Sequence, residues 1–126
     1  MGGNGTFAAG RKVPFLYRTV GKINGIKILR GTGGLHNLPE EAHSSKAYVK
    51  LFPDGNFSML RFYGKDHRVK LEIAYHREPK IDSEGKPVLH YHLYPDGIKS
   101  RTPARKVGRK FYLGFKDILK GVQYHD

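Results

Sequence analysis

The chain has 126 residues, and its 23 Lys and Arg against 11 Asp and Glu leave a formal net charge of +12, within a length that fits one domain of about 100–200 residues. Cysteine is absent, which excludes a disulfide framework, a thiolate nucleophile and a thiolate-ligated metal. No run approaches the roughly 18–20 apolar residues of a membrane-spanning helix, and "MGGNGTFAAGRKVPF" lacks the basic start and apolar centre of a signal peptide. A positive field of this size draws polyanions and speeds encounter with them, so nucleic acid leads the expected partners, with RNA preferred.

In chain order, residues 1–12 read as an arm, because Gly2, Gly3, Gly5 and Gly10 deny it a stable period. "VPFLYRTVGKINGIKILRG" then holds two apolar runs around Gly21 and Asn24-Gly25, residues suited to positive φ, and reads as a β-hairpin. The glycines of "GTGGLHNLPEEAHSS" are not followed by Gly-Lys-Ser/Thr, so no phosphate-binding P-loop is present. From Ala47, "AYVKLF", "NFSMLRFY" and "RVKLEIAYH" are joined by "PDG" and "GKDH", short polar connections that imply an antiparallel meander. A longer polar loop, "REPKIDSEGKP", leads into "VLHYHLY" and a second Pro-Asp-Gly. In "RKFYLGFKDILKGV", Phe111, Phe115, Ile118, Leu119 and Val122 fall near helical spacing, with Gly114 costing about 1 kcal/mol relative to Ala. The expected fold is α+β: a mainly antiparallel sheet of about five or six strands carrying a C-terminal amphipathic helix, within a single domain over 13–126.

Strand alternation has a chemical consequence. In "LEIAYH" the apolar Leu71, Ile73 and Tyr75 alternate with Glu72, Ala74 and His76; in "VLHYHLY", Leu89, Tyr91 and Leu93 alternate with His90 and His92. If both apolar rows face the core, then Glu72, His76, His90 and His92 share the opposite face, where cross-strand neighbours lie about 4.5–5.5 Å apart at Cβ. Three readings of such a cluster stay open. One is metal-free RNA cleavage needing no cofactor, in which one imidazole deprotonates the ribose 2′-hydroxyl, another protonates the leaving 5′-oxygen, and Lys or Arg steadies the phosphorane. Another is a His-ligated divalent metal with an open position, for which Glu72 or Asp96 are the available orienting carboxylates. The third is a polar face without chemistry, in a nucleic-acid-binding or assembly module. In the catalytic reading His76, His90 and His92 are acid, base or phosphate ligands, Glu72 orients an imidazole, and His43 joins from the loop.

The segment "KSRTPARKVGRK" follows the His-x-His strand directly. Its Lys99, Arg101, Arg105, Lys106, Arg109 and Lys110, with no acid among them, are expected to contact phosphates beside the imidazoles.

The stretches "NGTFAAG", "LPEEAHSSKAYV", "LEIAYHREP" and "LHYH" resemble the small C-terminal modules of phage minor head (head-morphogenesis) proteins, some of which are toxin-like nucleases of the barnase-type ribonuclease group. The resemblance covers roughly residues 4–95. It implies a ribonuclease in a bacterial cytoplasm or a virion, an immunity protein or phage head protein as partner, and His43, His76, Glu78, His90 and His92 as site positions. The His-x-His strand is also similar to that of the cupin family, although Pro95 and Asp96 stand where that family places a Glu.

Overall fold

The computed structural model describes residues 17–31, 37–42 and 44–125. The arm assigned to 1–12, and with it His36 and the candidate His43, lie outside the described residues. The fold is α+β. Its strands are β1 (Tyr17–Ile23), β2 (Ile26–Gly31), β3 (Ala47–Leu51), β4 (Phe57–Tyr63), β5 (Val69–Arg77), β6 (Pro87–Leu93) and β7 (Arg105–Lys106), followed by a six-residue helix α1 (Arg109–Gly114). All seven strands form one sheet in sequence order. Among the described residues β1 and β7 are the outer strands of this order.

The hairpin β1–β2 turns at Asn24 (φ 51) and Gly25 (φ 80), the paired positive φ of a tight two-residue connection that follows strand twist. Gly21 plays a different part from the one expected. It lies inside β1 beside a register shift rather than in the turn. The meander β3 to β6 is antiparallel throughout. Between β2 and β3 the chain crosses instead of turning back, so these two pair in parallel, Lys27 with Tyr48 and Ile28 with Val49.

Two apolar clusters pack against the sheet. Val49, Phe57, Leu60, Ile73 and Leu89 meet Val107, Ile118, Leu119 and Val122 from the C-terminal segment. Tyr48, Met59, Tyr63 and Val69 meet Leu38 and Ala42 from the 37–42 segment, with Tyr17, Leu29 and Tyr94. A register shift between Lys50 and Leu51 leaves one extra residue in β4, which is why Phe57 and Met59, two apart, join different clusters; a bulge re-aims side chains in this way.

Two expectations change here. Helix α1 ends at Gly114 and the chain continues in turns, yet Phe111, Phe115, Ile118, Leu119 and Val122 all still pack on the core. The apolar spacing marked the buried residues correctly, while Gly114, costly within a helix, coincides with its end. The sheet also gains a seventh strand, because the basic segment pairs Arg105 with Tyr91 and Lys106 with His90.

Candidate functional site: a histidine cluster on β5 and β6

The register of β5 and β6 sets Glu72 opposite His92, Ala74 opposite His90 and His76 opposite Val88. Alternation therefore brings Glu72, His76, His90 and His92 to one face, as expected from the pattern. Ala74 offers only a methyl group opposite His90, leaving room for its ring. The three imidazoles form a chain of edge-to-face contacts: His76 and His90 have ring centroids 4.6 Å apart, and His90 and His92 5.5 Å apart.

Most of this face is covered. His90 is fully buried and His92 only 3% exposed, whereas His76 near the end of β5 is exposed, its Nδ1 2.9 Å from the Arg77 carbonyl. Cover comes in part from residues after β6. The Pro95-Asp96-Gly97 turn, with Gly97 at φ 80, reverses the chain, and Ser100 ties it down by accepting from Asp96 N at 2.7 Å and donating to the Gly97 carbonyl at 2.7 Å. Thr102 then pairs with the end of β6: its N–H donates to the Leu93 carbonyl at 2.9 Å and its Oγ1 accepts from Leu93 N at 2.8 Å.

That anchoring sets the tautomers. The Thr102 carbonyl lies 2.8 Å from His92 Nδ1, and the Val88 carbonyl 2.8 Å from His90 Nδ1. A carbonyl only accepts, so both Nδ1 atoms carry protons, and in the neutral ring the Nε2 atoms carry the lone pairs. Arg101, which only donates, places Nη2 2.8 Å from His92 Nε2, in agreement with that assignment. His90 Nε2 is buried and has no hydrogen-bond partner among the described residues. Burial pushes the His90 imidazole below its ordinary range. The Val88 carbonyl pulls against this, His76 and His92 push the same way as burial, and Glu78 raises it. Burial thus disfavours the charged form of His90.

Glu72 does not orient an imidazole. Arg61 Nε and Nη2 both reach its Oε1, at 2.8 and 2.7 Å, with both side chains buried. Arg61 Nη1 also donates to the Leu38 and Pro39 carbonyls at 2.7 and 3.2 Å, and Tyr63 donates to Pro39 at 2.6 Å. Glu72 therefore belongs to a buried clamp that holds the 37–42 segment on the sheet. Asp96 is engaged with Arg68 at 3.1 Å. The groups that orient His90 and His92 are backbone carbonyls.

The carboxylate that does reach the cluster is Glu78. One oxygen of Glu78 and one nitrogen each of His90 and His92 lie within 4.8 Å of one another. Among the residues read directly from strand alternation Glu78 was missed, and it entered only through the phage-module resemblance. The signal was available: continuing the even-numbered row 72, 74, 76 one step past the strand end arrives at 78.

The basic segment divides. Lys99, Arg101, Arg105, Lys106, Arg109 and Lys110 are all exposed, but only Arg101 has a hydrogen bond to an imidazole. Lys106 and Arg109 lie over the Tyr124 ring, 5.4 and 5.7 Å from its centroid, and Tyr124 stacks on Tyr112 at 4.8 Å. Lys99 lines a cleft with Glu40, Glu41 and Asp96, away from the imidazoles. No helix among the described residues is long and apolar enough to cross a membrane. No family model, curated protein or solved structure matches the chain.

Proposed function

We propose that this basic domain acts on nucleic acid and cleaves RNA phosphodiester bonds at the His76–His90–His92 cluster. The observation that carries the reading is the pair of neighbouring imidazoles, ring centroids 5.5 Å apart, with Nε2 of His90 unpartnered among the described residues and Nε2 of His92 bound to the exposed guanidinium of Arg101. A basic nitrogen and a nearby cation able to hold a phosphate are the minimum that transesterification of RNA asks of a protein, since the substrate brings its own nucleophile. The 2′-hydroxyl gives up its proton to the basic centre and its oxygen bonds to phosphorus. The bond from phosphorus to the 5′-oxygen breaks, and that oxygen takes a proton from a second acid, for which the exposed His76 beside His90 is the candidate. Arg101 would hold the non-bridging oxygens, while Arg105, Lys106, Arg109 and Lys110 lead the strand toward the site. The phage or toxin setting, with an immunity or head protein as partner, belongs to the same proposal.

The burial of His90 favours a second reading, a nucleic-acid-binding or phage assembly module without catalysis. Incubating the parent protein with RNA, with and without EDTA, separates the two. Cleavage to 2′,3′-cyclic phosphate and 5′-hydroxyl ends, lost in Arg101→Ala and His90→Ala, supports the ribonuclease. Salt-sensitive binding without cleavage under either condition supports the module.

A further inference from the structure

We infer that Glu78, His90 and His92 form a binding site for one divalent transition-metal ion, with Zn²⁺ the first choice. The site stands on its own geometry and does not depend on the cleavage proposed above.

Two independent observations carry it. The first is convergence: one donor atom from each of the three side chains lies within 4.8 Å of the other two. The second is the state of the donors. Both imidazoles give Nδ1–H to a backbone carbonyl at 2.8 Å, the outer hydrogen bond that fixes the ring of a metal-bound histidine and raises its basicity. This leaves the two Nε2 lone pairs for a ligand, and that of His90 is fully buried without any partner among the described residues. A buried polar atom left unsatisfied is costly and calls for an explanation. The same lone pair that takes a proton can instead take an ion, and the burial of His90 suits a small ion better than a ribose hydroxyl.

The donor chemistry selects the class. Two imidazoles and one carboxylate suit Zn²⁺ and neighbouring first-row ions rather than Mg²⁺ or Ca²⁺, which prefer oxygen. Three protein ligands leave a further position for water or a substrate oxygen. Arg101 competes for this site, because its Nη2 occupies the His92 lone pair. That hydrogen bond is the one Arg101 makes among the described residues, and its side chain is exposed, so it is able to withdraw. A metal site therefore behaves as a merely structural cluster does not: removing Arg101 strengthens ion binding.

The test is calorimetric titration of Zn²⁺ into the untagged full chain after chelator treatment and dialysis, with circular dichroism as a check on folding. The expected result is one saturable site per chain. Glu78→Gln should weaken it at least tenfold, and Arg101→Ala should tighten it on the order of tenfold, the equivalent of about 1.4 kcal/mol. Neither variant alters a buried apolar group, so both are expected to fold; His90→Ala adds a third comparison if its spectrum matches the parent. No saturable site in the parent, Glu78→Gln binding as tightly as the parent, or Arg101→Ala binding no tighter would each overturn the inference. RNA cleavage is assayed on the same samples. Cleavage in EDTA by a protein that binds no Zn²⁺ sinks the metal site and leaves the ribonuclease, whereas one bound ion without cleavage sinks the ribonuclease and leaves the site.

Discussion

Glu72→Gln separates structure from chemistry at the centre of the sheet. The amide preserves the shape of the side chain and removes its charge, leaving the Arg61 guanidinium buried without a counter-ion. Both Arg61 contacts converge on one oxygen at 2.8 and 2.7 Å, and both side chains are about 5% exposed. Removing one partner of a buried pair costs about 3–5 kcal/mol. Arg61 keeps the Leu38 and Pro39 carbonyls, which places the expected loss near the lower end, about 3 kcal/mol. For a domain of this size that lowers Tm by about 10 °C. Thermal melts of Glu72→Gln, Arg61→Met and the double variant complete a cycle in which the double variant is the least damaged relative to the sum of the singles, since no buried charge remains alone. A Glu72→Gln protein that melts within about 2 °C of the parent while losing RNA cleavage would refute the structural assignment and return Glu72 to the reaction centre.

Leu89→Ala should cost about 2–5 kcal/mol, because Leu89 is 2% exposed in the helix-side core, while Leu93→Ala at the 43% exposed end of the same strand should cost under about 1 kcal/mol; chemical denaturation measures both. Asp66 is held well below the ordinary carboxylate range by hydrogen bonds from the Arg68 backbone and side chain and by Lys70. Its folded value is the depressed one, so its stabilisation is present above the unfolded value and is lost as pH falls through that range. The Tm difference between parent and Asp66→Asn should therefore be largest near neutrality and vanish in strong acid. Replacing Arg101, Arg105, Lys106 and Arg109 by Gln should flatten the slope of log K against log salt for single-stranded RNA by about 3, at roughly 0.7 per phosphate contact; an unchanged slope would mean that these residues do not meet the backbone.

The meander and the shared face of Glu72, His76, His90 and His92 were readable because both rest on a period of two, which strand pairing preserves across neighbours. What covers that face was not readable. Leu38, Pro39, Arg101 and Thr102 reach the site from residues distant in sequence or beyond a turn, and nothing in the alternation distinguishes a solvated polar row from one buried under loops. β7 escaped notice because two exposed basic residues carry no apolar pattern; its pairing depends on the turn at Pro95-Asp96-Gly97 returning the chain along β6. The partner of Glu72 was hidden for a related reason. Arg61 stands opposite it on β4, but the phase of that strand depends on the register, which sequence spacing alone left open.

The proposed reaction centre and the ion site both depend on the His90 and His92 lone pairs, and nitrogen-15 spectra of histidine-labelled protein read them directly. In chelator-treated protein at neutral pH, both residues should give the pattern of a neutral ring with its proton on Nδ1 and a bare Nε2, and the His90 Nε2 signal should shift when one equivalent of Zn²⁺ is added. A proton on His90 Nε2 would contradict both proposals, since the nitrogen on which the reaction centre and the ion site depend would have no lone pair to offer.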